Sequence, residues 1–208
     1  MLLLSIKIYR VICVRKAYCL FVLSLIYSIS SAQNVASING KALSSKEFIW
    51  AYKKSYNGNM SSDYDNLKAY LNLYINFKLK VLDARDMGLD KSPTYLDEIK
   101  TYEDALISHK KATTSNKDFN YLINEYREGV LMFNVSEQKI WIKAQEDEQA
   151  ISDFYTSNKQ NYTKSLAEIR GTVMADYQQL LEDRWLKSLK DKYPVRINEN
   201  ELKKLVRL

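Results

Sequence analysis

Along most of the chain, apolar residues recur at a spacing of three and four, which is the spacing of α-helices. A stretch from about Ser62 to about Met87 has apolar residues on several sides, which predicts a helix buried on more than one face. A stretch from about Lys164 to Lys192 predicts a helix roughly 40 Å long, at about 1.5 Å per residue. The cleanest periodicity predicts a helix through Phe119, Leu122, Ile123, Tyr126, Val130 and Phe133.

Residues typical of helix starts divide these stretches into separate elements. Ser44 and Glu47 form a capping-box pattern, which predicts the start of the first helix. Ser92-Pro93 predicts another start, because proline is favoured at the first helical position. Asn134-Val135-Ser136 is expected to interrupt the periodic helix, with Ser136 as the N-cap of the next one.

Two short strand-like segments stand near opposite ends of the periodic region, Val35–Ile38 and Val195–Ile197. We expect them to pair and so to connect the two ends of a helical body. Five glycines and two prolines are few for a β-rich or doubly wound fold. The sequence therefore predicts a mostly α fold, with a multi-helix core, a long C-terminal helix and one small two-stranded pairing.

Residues 1–32 have the pattern of a secretory signal peptide. An apolar run from Ala17 to Ile29 follows a basic segment and ends in small residues, which predicts cleavage near Ala32-Gln33. The run is shorter than the about 20 residues that a membrane-spanning helix needs. We expect export to the periplasm with no stable membrane insertion after cleavage; an uncleaved N-terminal anchor is the alternative.

Removal of this signal changes the composition of the chain. It carries four of the 31 basic residues and none of the 25 acidic ones, so the remainder has a formal net charge of 27 − 25, or +2. Such a near-neutral balance argues against nucleic acid as a partner. Cys13 and Cys19 both lie in the signal, so the mature chain has neither a disulfide framework nor a thiol nucleophile.

Few residue patterns point to enzyme chemistry. His109 is the only histidine, and one histidine without a cysteine does not make a typical zinc site. The acidic run Glu146-Asp147-Glu148 is typical of a solvated helix face. Motifs for nucleotide binding, for zinc proteases and for serine hydrolases do not occur in the sequence. We therefore predict a protein that is not an enzyme and that uses no metal or cofactor.

Four collinear blocks of the chain resemble the SurA-type periplasmic chaperones, in the form found with parvulin isomerase domains in Bacteroidota. The first is the strand Val35–Ile38 with the following Asn-Gly-Lys turn. The second and third are Leu71–Leu82, which precedes a Gly-Leu-Asp turn, and Leu122–Trp141. The fourth joins Arg170-Gly171 to the closing segment Lys192–Asn198.

One departure from this family is as informative as the match. Parvulin domains of these proteins carry a histidine in an Ala-Ser-His-Ile-Leu strand, and the present chain has neither that strand nor a histidine outside a helical segment. The resemblance therefore implies a chaperone body without the isomerase module. By this comparison, residues 33–112 form the N-terminal helical region, 113–163 a central segment, and 164–208 a C-terminal part that packs with the first.

The function implied is that of a periplasmic, ATP-independent holdase for unfolded outer-membrane or secreted polypeptides. Tyrosine dominates the aromatic content, with 16 residues, and its ring with a polar tip suits a partly hydrated surface that grips apolar partners. We expect a crevice between the N-terminal helices and the long C-terminal helix. Its candidate residues are Tyr52, Tyr56, Tyr74, Phe77, Met132, Phe133, Trp141, Tyr177 and Trp185.

Three alternatives stay open at this point. Each of these aromatic side chains could instead fill a helix–helix interface. The chain could be a degenerate peptidyl-prolyl isomerase that keeps residual activity. It could also be an accessory subunit that binds one dedicated partner in the cell envelope.

Overall fold

The computed structural model describes residues 34–58, 63–109 and 115–206. The predicted signal peptide lies outside this range. The described chain is mostly helical, which confirms the predicted fold class. Its α-helices are α1 Ser45–Ser55, α2 Tyr64–Asp86, α3 Pro93–His109, α4 Asn116–Ser136, α5 Ile142–Glu146, α6 Glu148–Ser157, α7 Leu166–Lys192 and α8 Glu199–Leu205. None of the helices in the described range has the length and apolar character that crossing a bilayer requires.

A small antiparallel sheet contains β1 Asn34–Ile38, β2 Lys41–Ser44 and β3 Val195–Ile197, in the order β2-β1-β3. The predicted pairing of the first and last strand segments is confirmed. The backbone N–H of Asn198 donates to the Val35 carbonyl and that of Asn39 to the Pro194 carbonyl, each at 2.8 Å. The sequence prediction missed β2, so the sheet has three strands where two were expected.

The turn between β1 and β2 explains the additional strand. Asn39 and Gly40 have φ angles of 50° and 75°, and two successive positive values are typical of a type I′ turn. This turn matches the twist of a two-residue hairpin, so the chain folds back directly after β1. Leu43 of β2 is then buried, and Ser44 caps α1 by accepting from the backbone N–H of Lys46 at 3.2 Å.

The chain divides into two compact units. The first contains the described residues 34–37, 41–58, 63–67 and 196–206. Phe48, Leu202 and Leu205 belong to its buried core. A buried hydrogen bond from the hydroxyl of Ser45 to a carboxylate oxygen of Glu201, 2.9 Å long, joins α1 to α8 within this unit.

The second unit contains the described residues 38–40, 68–109 and 115–195. Within it, α2 buries Leu71, Ile75 and Leu79 at intervals of four residues, and Val81 and Ala84 are buried on further faces. This distribution confirms the prediction of a helix packed on more than one side. The long helix α7 begins with a capping box formed by Ser165 and Glu168, and its first turn is kinked at Ile169.

One sequence prediction in this unit is wrong. Ser136 is not an N-cap: it lies in the last turn of α4 with helical backbone angles, φ −67° and ψ −40°, and makes no side-chain capping bond. Its hydroxyl instead faces the sulfur of Met132, one turn earlier, at 3.7 Å. The helix continues without a break through a π-helix at Glu137–Trp141 and into α5.

Candidate functional site

The π-helix follows from the spacing of buried residues. Leu131, Val135, Ile140 and Ala144 are all buried, and the step from Val135 to Ile140 is five residues, with steps of four on either side. A regular α-helix would turn Ile140 away from that face, whereas one extra residue in the π-helix brings it back. The backbone N–H of Ile142 accordingly donates to the carbonyl of Glu137, five residues earlier.

The inner face of the π-helix contacts a buried carboxylate. Asp83 of α2 is only 4% exposed. One of its oxygens accepts from the ammonium of Lys139 at 2.5 Å and from the indole N–H of Trp185 at 3.0 Å. Its other oxygen lies 3.5 Å from the ammonium of Lys192. These bonds join α2, the π-helix and α7 and satisfy the buried charge, which would otherwise be costly.

Two lysines lie beside the Trp185 ring. Lys80 and Lys139 have their ammonium groups 5.5 Å and 5.6 Å from the ring centroid, within the range of cation–π attraction. Lys80 is itself buried and forms a 2.6 Å ion pair with Glu182 of α7. We call Asp83, Lys80, Lys139, Glu182 and Trp185 the polar cluster.

A second carboxylate, nearer to solvent, extends this arrangement. Asp86 accepts from Lys192 at 2.8 Å and from the hydroxyl of Tyr193 at 2.7 Å. The hydrogen bond from Lys192, and then that from Tyr193, lowers the pKa of Asp86 below its ordinary value of 3.8. The same bond to Asp86 raises the pKa of Lys192, and burial raises the pKa of Tyr193.

The outer side of the same helical segment carries exposed apolar side chains. Phe133 is 50% exposed and meets the half-buried ring of Trp141 edge-on, with centroids 4.9 Å apart. Ile142 is 40% exposed directly after Trp141. We call Phe133, Trp141 and Ile142 the aromatic patch. Met132, another predicted contact residue, is half-buried one position before Phe133.

The π-helix is what aligns the two rings of the patch. In a regular α-helix, positions eight residues apart are offset by about 80° around the axis. One extra residue in the π segment makes the interval equivalent to seven residues, which reduces the offset to about 20°. Phe133 and Trp141 therefore lie on nearly the same side of the helix.

A second row of rings lies along α2. Tyr74 stacks between Tyr70 and Phe77. Its ring centroid lies 6.3 Å from that of Tyr70 and 6.0 Å from that of Phe77. Lys78 lies 5.1 Å from the Tyr74 ring and pairs with Glu128 of α4 at 2.5 Å. Leu73, in the same row, is 65% exposed. The predicted pair Tyr74 and Phe77 is thus together, on a face distinct from the buried stripe of α2.

The remaining predicted contact residues lie elsewhere. Tyr52 is 1% exposed in the first unit, where it stacks on the exposed Tyr56 at 4.7 Å. Tyr177 of α7 is half-buried against Phe154 of α6, at 5.5 Å. Trp185 is buried in the polar cluster. The structure thus places Tyr52 and Trp185 in the core, and a crevice shared by all nine residues stays a prediction.

Sequence reasoning missed two exposed apolar residues of this region and the charged members of the polar cluster. Leu73 and Ile142 are exposed apolar residues, and the spacing of residues 70, 73, 74 and 77 was a signal for the first of them. Asp83 had no local signal, because an aspartate in a helix is usually solvated. Among residues 34–58, 63–109 and 115–206, the structure holds no group of three histidine, cysteine, aspartate or glutamate side chains suited to a metal ion.

Comparisons with protein-family models, with curated proteins and with solved structures returned no match to this chain. The resemblance to SurA-type chaperones therefore rests on the sequence blocks alone. Structural support for a function comes from the geometry of the helical segment from α4 to α5.

Proposed function

We propose that the protein is a periplasmic, ATP-independent holdase that binds unfolded outer-membrane or secreted polypeptides. The aromatic patch is its main contact surface. This proposal combines two lines of support, the sequence resemblance to SurA-type chaperones and the exposure of the patch. It assigns the protein a binding role without prolyl isomerisation.

The observation that carries the proposal is the exposure of Phe133. An aromatic ring half exposed on a well-packed helix leaves apolar area in water, and burial of that area by a partner would release about 25 cal/mol per Å². The edge-on contact with Trp141 holds the ring in place, so little side-chain freedom is lost on binding. Such a surface suits clients that differ in sequence but share exposed apolar side chains.

The chemistry of the clients fits this surface. Strands of outer-membrane barrels alternate apolar and polar residues, so an unfolded strand offers apolar side chains at every second position. A small patch engages only a few of these at a time. We therefore expect weak binding to any one segment and release without an energy source.

The test is suppression of aggregation. We would dilute an unfolded outer-membrane protein into buffer containing the full chain and follow light scattering. The double variant Phe133→Ser/Trp141→Ser is expected to need about ten-fold more protein for the same suppression. The matched control is Leu96→Ser/Ile107→Ser, which removes two exposed apolar residues from α3 and should behave like the wild type.

Three outcomes would contradict the proposal. Equal loss in both double variants would mean that binding has no defined site. Failure of the wild-type chain to protect any client, together with capture of one stoichiometric envelope protein, would favour a dedicated accessory subunit. Acceleration of proline isomerisation in a peptide substrate would favour the isomerase alternative.

A further inference from the structure

We infer that Lys139 is a positioning residue which, through its ion pair with Asp83, holds the helix in the π register that assembles the aromatic patch. Lys139 lies within the π-helix and contacts Asp83 and the Trp185 ring of the polar cluster. The inference deepens the proposed function, on which its client-binding part rests. Its structural part stands independently of any client.

The two faces of the segment are coupled by helix geometry. Conversion of the π segment into a regular α-helix would turn the residues after it by about 100° relative to α4. Trp141 would then move from an offset of about 20° to one of about 80° relative to Phe133. The ring contact would open, and Ile140 would leave the buried face.

The rotation would be confined to a short segment after the π-helix, in which Ala144 is now buried. Helix α5 has only five residues and is followed by Asp147, whose φ and ψ of −96° and 76° lie outside the helical region. Helix α6 starts afresh after it, with the Asp147 side chain accepting from the backbone N–H of Ala150 at 2.9 Å. A register change can therefore be absorbed at Asp147 without rotation of α6.

Positions 139 and 143 differ most between the two registers. In the α register they would occupy the buried stripe, four and eight residues after Val135, where Ile140 and Ala144 now lie. A lysine there would bury its charge and give up its bond to Asp83, which opposes the α register. An alanine at position 139 would fit the stripe, so Lys139→Ala both removes the ion pair and lowers the cost of the α register.

The register is measured without a client, by fluorine NMR of the full chain labelled with 5-fluorotryptophan. The resonances of its three tryptophans are assigned with the variants Trp50→Phe, Trp141→Phe and Trp185→Phe. A fourth variant, Phe133→Leu, gives the chemical shift of Trp141 when the neighbouring ring is absent. We expect Lys139→Ala to move the Trp141 resonance toward that of Phe133→Leu. Lys139→Arg should keep it at the wild-type position, and Lys190→Ala, which removes an exposed lysine from α7, should leave it unchanged.

A deletion variant separates register from general instability. Without Gln138, which is exposed, a regular α-helix already has the seven-residue interval between Phe133 and Trp141. The deleted chain should fold with the Trp141 resonance near its wild-type position. Adding Lys139→Ala to this deletion should then cause no further movement of Trp141.

The results have separate meanings for the two proposals. A Trp141 resonance that stays in place in Lys139→Ala, while that of Trp185 moves, would overturn the inference whatever the client assay shows. A shift of Trp141 with at least five-fold weaker client protection, restored by Lys139→Arg, would support both proposals. A shift of Trp141 in a protein that protects no client would leave the register role standing and remove the holdase function.

Discussion

The two faces of the helical segment from α4 to α5 invert the usual distribution of residue types. On the inner side, the Asp83 carboxylate and Lys80 are withdrawn from water in the polar cluster, while on the outer side Phe133 and Ile142 are exposed. The cluster is satisfied by specific hydrogen bonds, so its geometry is fixed. The patch consists of apolar side chains, and the ring of Phe133 contacts that of Trp141 edge-on.

This difference separates what stabilises the protein from what is available to a partner. Buried polar groups are costly when a partner is removed, so the cluster should be sensitive to substitution. An exposed ring contributes only the part of its area that is buried, so the patch should tolerate change. The comparison can be tested by substitutions on each face in turn.

The largest effect is expected for Asp83→Ala. This change leaves the indole N–H of Trp185 and the ammonium of Lys139 without their acceptor, and should reduce the free energy of unfolding by about 3–4 kcal/mol. Chemical denaturation followed by circular dichroism measures it. The control Asp97→Ala, at an exposed aspartate on α3, should change stability by less than about 0.5 kcal/mol. Equal effects in the two variants would contradict a special role for the cluster.

A smaller loss is expected for Trp185→Phe. Phenylalanine keeps most of the buried ring but removes the 3.0 Å donor to Asp83, which still has its two lysines. A hydrogen bond to a charged group contributes about 1.5–3 kcal/mol, so we expect a loss of about 2 kcal/mol in the same denaturation assay. A loss as large as that of Asp83→Ala would mean that packing of the ring, and not its N–H, dominates.

On the outer face, Phe133→Ser should cost at most about 1 kcal/mol, because half of the ring is already in water. Thermal unfolding of this variant should stay close to that of the wild type. A loss of several kcal/mol would identify Phe133 as a core residue and would remove the basis for a contact surface.

The smallest effect is expected for the contribution of Asp86 to stability at acidic pH. The folded-state pKa of Asp86 is below 3.8, so its contribution to stability is present above that pH and is lost as the pH falls further. The difference in unfolding free energy between the wild type and Asp86→Asn should therefore shrink on acidification from about pH 6 to about pH 3. A difference that is constant over this range would show that Asp86 contributes through shape alone.

Several elements of the fold could be predicted because their signals are local. The helical periodicity gave the main helices, and the pairing of β1 with β3 followed from two short strand signals separated by a helical body. The hairpin strand β2 was missed although Asn39-Gly40 is a strong turn signal, since Lys41–Ser44 is short and precedes a helix directly.

The candidate site was predicted only in part, for a different reason. Phe133, Met132 and Trp141 are all predicted contact residues, and the structure brings the rings of Phe133 and Trp141 together. The break expected at Ser136 was wrong because serine favours N-caps only where the helix has another reason to stop. Here the buried stripe continues, with one interval of five residues.

The amino-acid sequence by itself determined which stretches are helical, where the long helix ends and which strands close the body, because periodicity, caps and turn residues act over a few positions. Only the tertiary structure decided that Trp185 lies in the core while Phe133 is exposed, and that Asp83 is buried. Those outcomes depend on which faces of distant helices meet. The π-helix is an intermediate case. The five-residue interval between Val135 and Ile140 is present in the sequence, but it indicates a π-helix only once the buried face is known.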